Sequence, residues 1–393
     1  MNRYDICVVG GGGHAGLPLS LAFADKGKKV IIADKNREVL QTIGSGIMPF
    51  IENGAEKILK RVIHKTLFLS QDISVVKDAT YVIAIIDTPI DEHLNPTYKD
   101  MMLFFEQLKP FLNKGQIVII RSTVYPGTAQ KIQKMLKNIP VCFCPERIAE
   151  GRAMEEILSL PQIVSGFNPA AVRQAGKLFS LLTKDIIFLD PLEAELAKLF
   201  TNSWRYIQFA VANQFYMIAQ ECGTDFYSIY NAMTRHYPRA EHFPKPGFTA
   251  GPCLFKDTMQ IAAFTNHKFF LGHGAMLINE GLPNFIMDQL KKHYNLSKMT
   301  VGILGMAFKA ESDDKRESLS YKLKKLAYLE AKAVLCSDAY IKGKDFVDEK
   351  LLIKKSDIII IGAPHQRYSK LNFKGKILVD IWGHVRRERK RRP

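Results

Sequence analysis

The residues best suited to chemistry lie in the run 248–257, Phe-Thr-Ala-Gly-Pro-Cys-Leu-Phe-Lys-Asp. Cys253 follows a Gly251-Pro252 turn and precedes the Lys256-Asp257 pair, at the head of a segment with helical periodicity. A thiol beside a helix N-terminus and a lysine is favoured as thiolate, the form that attacks electrophilic carbon. A cysteine taken alone is more often a small buried hydrophobe. The surrounding chain has to decide.

A second stretch is Gly11-Gly12-Gly13-His14-Ala15-Gly16, a G-x-G-x-x-G pattern. It follows an apolar run at 6–9 that reads as a buried parallel strand, and it leads into a helical pattern through Leu17, Leu21 and Ala24. A second strand over 29–33 ends on Asp34, eighteen residues beyond Gly16. Glycines permit a tight turn and let a pyrophosphate approach a helix N-terminus, while the acid accepts hydrogen bonds from ribose hydroxyls. Asp34 favours NAD over NADP, because it repels a 2′-phosphate.

Three more strands end in polar clusters. The run 79–86 leads to Asp87-Thr88-Pro89, the run 116–121 to Ser122-Thr123-Val124, and 141–143 to Cys144-Pro145-Glu146-Arg147, with Glu150-Gly151 beyond. Each could be turn chemistry alone. Together they mark one edge of a doubly wound sheet, where ligands bind beyond the carboxyl ends of the strands.

These residues need elements to position them. Asp190, Pro191 and Glu193 start a helix as N-cap, first position and N3, and the pattern runs to about Cys222 with Gly223 as its stop. Phe200, Trp204, Ile207, Val211, Phe215 and Ile218 form an apolar stripe along it. Glu195, Lys198, Asn202 and Arg205 fall in one sector of about 80° at the helical period. Such a sector is either a solvated face or the lining of a cleft. A helix of this length links domains or packs against a second copy. A basic, aromatic loop follows with Arg235, His236, Tyr237, Arg239 and Lys245, and from Asp257 one helical pattern continues to His293. Strands at 299–304, 333–336, 357–362 and 376–381 then make a second, smaller α/β unit, which includes Gly305-Met306-Ala307-Phe308-Lys309 and a polar run at 312–318.

The totals set bounds. A chain of 393 residues calls for two or three domains. At 47% hydrophobic and 24% charged its composition is that of an ordinary globular protein, without an apolar run of membrane-spanning length. A strand within a few residues of Met1 leaves no room for a signal peptide, and six cysteines without C-x-x-C spacing fit a reduced, cytoplasmic protein with no metal site. The net charge is +16, and the last ten residues carry six Lys/Arg against one Glu, leaving an excess on the body that suits a polyanionic substrate such as a nucleotide. A nucleic-acid ligand is the rival, but no basic stripe interleaved with aromatics is present, and the tail reads as a solvated extension.

With these motifs in place, the chain resembles the UDP-glucose/GDP-mannose dehydrogenase family over nearly its whole length, from Val8 to Gly383. The resemblance rests on seven motifs in order: the Gly11–Gly16 loop with Asp34; Thr88-Pro89; Ser122-Thr123-Val124; Pro145-Glu146 with Ala149-Glu150-Gly151; Glu195-Leu196-x-Lys198-x-x-x-Asn202; Gly251-x-Cys253-x-x-Lys256-Asp257; and Phe308-Lys309 with Arg316-Glu317-Ser318. It implies an α/β fold of two Rossmann-like doubly wound parallel-sheet domains joined by a helical middle domain. The expected boundaries are 1–190 for NAD, 191–295 for the helical middle with its long central helix and the catalytic Lys and Cys, and 296–383 for the nucleotide sugar, with a basic tail over 384–393.

The resemblance also implies an activity. The family oxidises a sugar hydroxymethyl group to a carboxylate in two steps, with NAD as acceptor in each. Carried over by motif, Cys253 holds the intermediate aldehyde as a thiohemiacetal that becomes a thioester. Lys198, Asn202 and Asp257 with a water handle the alcohol proton and the oxyanion. Glu146 activates the hydrolytic water and Thr123 helps hold one. Cofactor contacts fall on Gly11, Gly13, His14, Ala15, Gly16, Asp34, Thr88, Pro89, Thr123, Glu150 and Arg316. Substrate contacts fall on Arg147, Lys198, Asn202, Arg239, Phe248, Gly251, Phe308 and Lys309, with Arg239 reaching a neighbouring subunit's site. A homodimer or larger assembly is implied, with neither nucleic acid nor membrane as partner.

Pro145-Glu146-Arg147-Ile148, Gly251-Pro252-Cys253-Leu254 and Asp380-Ile381-Trp382-Gly383 resemble the N-acetylhexosamine branch. UDP-N-acetylmannosamine is therefore the expected substrate, ahead of UDP-N-acetylglucosamine and UDP-glucose, and the product a uronic acid donor for surface polysaccharide such as capsule. Three positions depart from the family pattern: Asp87 and Ala250 stand where glycine is usual, and Phe255 where proline is common. A hydroxy-acid dehydrogenase is a rival with no use for Cys253. A non-catalytic NAD-binding sensor is a rival that leaves the whole catalytic set unexplained.

Overall fold

Along the first strand Ile6 and Val8 face one hydrophobic cluster while Cys7 and Val9 face another. A strand with apolar residues on both faces has to be covered on both sides, and helices of a parallel sheet do this. The computed structural model describes residues 3–88, 90–91, 97–248 and 251–385. Pro89, Ala250 and the tail beyond Val385 lie outside the described residues.

The chain divides into two compact units, Met1–Thr201 with Met259–Asn266, and Asn202–Thr258 with His267–Pro393. The helices Pro191–Glu221 and Leu254–Phe264 each run from one unit into the other.

In the first unit lie β1 (Tyr4–Val9), β2 (Val30–Ala33), β3 (Leu67–Ser70), β4 (Ala79–Ala84), β5 (Ile117–Ile120), β6 (Val141–Phe143), β7 (Gln162–Gly166) and β8 (Ile186–Phe188). They form one sheet in the order β3-β2-β1-β4-β5-β6-β7-β8. Neighbours are parallel except for the antiparallel pair β6–β7. The winding reverses between β1 and β4, which opens a crevice at their carboxyl ends. The Gly-rich turn after β1 and Asp87-Thr88 after β4 both fall there.

The second unit holds a smaller parallel sheet of β9 (Thr300–Leu304), β10 (Ala333–Ser337), β11 (Ile358–Ile361) and β12 (Ile377–Val379), in the order β10-β9-β11-β12. Two α/β sheets with a long helix agree with the fold class expected from the sequence. No helix among the described residues is long and apolar enough to cross a membrane.

Two helical expectations need correction. The pattern from Asp257 to His293 is two helices, Leu254–Phe264 and Phe270–His293. Asn266 and His267 between them adopt positive φ (52° and 60°), which ends a right-handed helix. The helix Pro191–Glu221 begins as anticipated, with the backbone N–H of Asp190 donating to Glu193 Oε2 at 3.0 Å. Its polar sector does not hold together, because Glu195, Lys198 and Asn202 are buried whereas Arg205 is exposed. Most of its apolar stripe faces outward, with Trp204 61% and Phe200 55% exposed.

Glu195 docks this helix within the first unit. Its carboxylate accepts from the backbone N–H of Gly127 (2.6 Å) and Ala129 (2.8 Å), at the start of the helix Thr128–Leu136. Burial pushes its carboxyl above the usual range, against those two hydrogen bonds. Glu195→Leu leaves one buried and one half-buried donor unsatisfied and is expected to cost about 2–4 kcal/mol in urea denaturation. Glu195→Gln, which keeps an acceptor, is expected to cost less.

Candidate active site

The turn after β1 begins one residue before the G-x-G-x-x-G pattern. Gly10 has φ of 72°, and a Cβ there would lie 2.0 Å from the Ile85 carbonyl oxygen, so only glycine fits between β1 and the end of β4. The sequence pattern missed this residue. Gly11 through Ala15 carry the chain to the helix Gly16–Asp25, with Ala15 at its N-cap position. Among the described residues, its chain neighbours apart, no atom lies within 4 Å of a Cβ built on Gly13. That side of the turn is open to a ligand. Asp34, at the end of β2, accepts from Gly12 N–H (2.9 Å) and Asn36 N–H (3.0 Å), which aims its carboxylate at the turn. His14 stacks on Phe50 with ring centroids 4.0 Å apart. An open glycine turn, a helix N-terminus and an oriented acid fit a dinucleotide.

Across the crevice, side chains tie strand ends to each other. Thr88 Oγ1 donates to the Thr123 carbonyl at 2.7 Å. Ser122 Oγ accepts from Ile86 N–H and donates to the Ile86 carbonyl, both at 2.7 Å. After β6, Glu146 is nearly buried and held from all sides. Arg121 Nε donates to its Oε2 at 2.8 Å and Nη2 lies 2.5 Å from the same oxygen, while the backbone N–H of Arg147 and Ile148 donate to Oε1 at 2.7 and 2.9 Å. Arg121 is itself buried and donates further to the Cys144 carbonyl (3.1 Å) and Gln162 Oε1 (3.0 Å). Arg147 turns its guanidinium to the Pro161 carbonyl. Glu150 is half-buried in a loop pinned by Glu52, which accepts from Gly151 N–H and Ala153 N–H at 2.8 Å each.

The second unit holds the cysteine. Asp257 N–H donates to the Cys253 carbonyl at 3.0 Å, so Cys253 caps the helix Leu254–Phe264 with its thiol exposed. One turn on, Asp257 has no exposed surface at all. Asn202 Nδ2 donates to its Oδ2 at 2.5 Å, and Lys256 Nζ pairs with its Oδ1 at 2.8 Å. Lys198 precedes Asn202 by one turn on the same face of the long helix and is only 8% exposed.

Four cysteines are excluded as nucleophiles by their surroundings. Burial pushes the Cys7 and Cys142 thiols up to about 12 and Cys336 to about 11, and holds Cys144 well above the usual thiol range. Cys222 and Cys253 are exposed; Cys222 follows the C-terminal end of the helix Pro191–Glu221, whereas Cys253 stands at the N-terminal end of Leu254–Phe264.

The remaining expected substrate residues partly converge on the cysteine loop. Gly251 has φ of 102°, and a Cβ there would come within 2.5 Å of the Phe308 ring. Lys309 Nζ lies 5.5 Å from the centre of that ring, and Phe248 is buried. Arg316 is clamped to Asp314, with Nε 2.9 Å and Nη2 2.6 Å from Oδ2. Arg239 is exposed and donates to Tyr237 Oη at 3.0 Å. Arg121 and Glu52 were not singled out in the sequence, because each acts through a partner at least 25 residues away.

Three family models match the chain in order: the UDP-glucose/GDP-mannose dehydrogenase family NAD binding domain over residues 4–182, its central domain over 192–280 and its UDP binding domain over 302–387. The chain is 29% identical to a Pyrococcus horikoshii protein named UDP-N-acetyl-D-mannosamine dehydrogenase, over 94% of this chain and 93% of that one. It is 28% identical to a protein of the same name from Methanocaldococcus jannaschii, over 98% and 93% of the two chains. Among solved structures, the UDP-D-ManNAc dehydrogenase of Pyrococcus horikoshii superposes with a TM-score of 0.87 at 28% identity, covering 94% of this chain and 91% of that one. A UDP-N-acetyl-mannosamine dehydrogenase from Staphylococcus aureus shares the fold, with a TM-score of 0.87 at 23% identity over 98% and 96% of the two chains.

The thiol environments are open to a direct count. Ellman's reagent is expected to titrate two thiols in the folded protein and six in denaturant, and Cys253→Ala to leave one reactive thiol in the folded state. Fast reaction at any of the four buried cysteines would contradict the burial described here.

Proposed function

The chain belongs to the UDP-glucose/GDP-mannose dehydrogenase family, as an NAD-dependent nucleotide-sugar dehydrogenase, and from that premise we propose that it takes a UDP-sugar hydroxymethyl group to the carboxylate through a covalent intermediate on Cys253. The observation that carries this reading is the exposed thiol of Cys253 at a helix start, one turn from the buried Asp257 with its Asn202 and Lys256 partners. A four-electron oxidation that retains its aldehyde is well served by such a covalent handle.

NAD bound at the Gly10–Gly16 turn supplies the hydride acceptor for each oxidation. Lys198, acting through a water held near Asn202 and Asp257, takes the alcohol proton as the first hydride leaves. The Cys253 thiolate adds to the aldehyde carbon, and the resulting oxyanion of the thiohemiacetal is steadied by Lys198 and Asn202. Loss of the second hydride from that carbon turns the thiohemiacetal into a thioester. Glu146 draws a proton from a water, with Thr123 helping to hold it, and the hydroxide displaces the thiolate to release the acid. Arg121 keeps the Glu146 carboxylate oriented for this step. Asp34, His14, Thr88, Glu150 and Arg316 are assigned to the cofactor, and Arg147, Arg239, Phe248, Gly251, Phe308 and Lys309 to the substrate. The working regions proposed are 1–190 for NAD, 191–295 for catalysis and assembly, and 296–383 for the sugar nucleotide.

UDP-N-acetylmannosamine is the proposed sugar, supported by the names of the relatives at 28–29% identity and by the Gly251-Pro252-Cys253-Leu254 segment. NADH release against a panel of UDP- and GDP-sugars tests both levels: two NADH per sugar establish the reaction class, and the preferred sugar identifies the branch. Cys253→Ala is expected to bind NAD and form no acid. Glu146→Gln is expected to slow hydrolysis by about 10²–10⁴-fold, leaving a thioester adduct visible by mass spectrometry. Acid formation at the wild-type rate by Cys253→Ala would sink the mechanism.

A further inference from the structure

At the carboxyl edge of the second sheet, three loops converge on one carboxylate that no motif had singled out. Asp338 follows β10 directly, and its side chain is fully buried. Its Oδ2 accepts from Met306 N–H (2.5 Å) and Ala307 N–H (3.0 Å) in the loop after β9, and pairs with His365 Nε2 (3.2 Å) in the loop after β11. Its Oδ1 accepts from Tyr340 N–H (2.8 Å) and Ile341 N–H (2.9 Å). The other nitrogen of His365, also fully buried, accepts from Glu311 N–H at 3.0 Å, which assigns the proton to Nε2. Glu311 in turn accepts from Gln366 N–H at 2.7 Å and from the Tyr340 hydroxyl.

The segment 306–311 is therefore gripped at both ends, by Asp338 at Met306-Ala307 and by His365 at Glu311. Between the grips, Phe308 N–H donates to the Asp314 carbonyl at 3.0 Å. Phe308 and Lys309 lie between the grips, both half-buried, and the Phe308 ring packs against Gly251, two residues before Cys253.

We propose that the Asp338–His365 pair is a positioning device that sets Phe308 and Lys309 against the Gly251–Cys253 loop and so governs binding of the sugar nucleotide. Neither side chain reaches substrate itself, since both are fully buried. The assignment of Phe308 and Lys309 to the sugar nucleotide rests on the proposed function. Charge is essential at Asp338, because five donors converge on its two oxygens. An amide there turns its own N–H groups toward one set of these donors, which a carboxylate does not.

Asp338→Asn and His365→Phe are the disruptive variants. His365→Gln keeps a donor for Asp338 and serves as the rescue. The expected result is a rise of about tenfold or more in the KM for the UDP-sugar, the size of one lost buried hydrogen bond, with kcat and the KM for NAD near wild type. His365→Gln should lie closer to wild type than His365→Phe. An unchanged sugar KM in folded Asp338→Asn, or equal rises in both KM values, would overturn the proposal. Amide hydrogen exchange separates this outcome from failure of the functional reading. If the wild type oxidises no UDP-sugar, that reading is lost, and the positioning claim is judged by exchange alone. Faster exchange at 306–311 with β9 and β11 still protected supports it, and unchanged exchange there refutes it.

Discussion

Asp257 is a carboxylate with no exposure, and burying it alone would be prohibitively unfavourable. Lys256 supplies the opposite charge and Asn202 occupies the second oxygen. The bond to Asn202 fixes how the long helix lies against the cysteine helix, because the two residues come from different elements. Cys253 begins that same helix, one turn away. The ionic pairing that makes Asp257 tolerable in the interior also locates the thiol relative to Asn202. Without it, the exposed cysteine would be an ordinary surface thiol.

The same device recurs wherever a loop has to be held still. Glu195 holds the start of the helix after β5, Glu52 holds the loop containing Glu150, Asp34 holds the Gly-rich turn, and Asp338 holds the loop of Phe308. In each case a carboxylate accepts backbone N–H groups that a loop or a helix start leaves over, the groups that would otherwise need water. Aspartates and glutamates are thereby consumed in architecture. The chain has 39 acids against 55 Lys/Arg, and with several acids turned inward the outward charge is more basic still. A protein that handles a diphosphate gains from that arrangement.

Fixed acids differ in what they can do chemically. Glu146 is held by a buried arginine and two backbone N–H groups, a geometry that fixes its direction. Cys253 is the opposite case, a group left exposed at the start of an ordered helix. The mechanism proposed above uses both kinds, an exposed nucleophile and a base held in a fixed direction.

The sequence by itself determined the Gly-rich turn after β1, the two α/β sheets and the start of the long helix. These depend on spacings of a few residues, such as glycine against strand end or Asp190 against Glu193, and short spacings are set by local backbone geometry. It overstated the polar face of the long helix, because a helical wheel does not say which neighbours cover which side, so Arg205 was grouped with buried residues though it is exposed. It also ran two helices together, since Asn266 and His267 reveal their left-handed conformation only in place. Arg121 with Glu146, Asn202 with Asp257, and Asp338 with Met306 and His365 were decided by tertiary structure alone. Each pair joins residues 25 to 55 positions apart, and pattern carries no information about which buried charge will meet which donor once the strands and helices have packed.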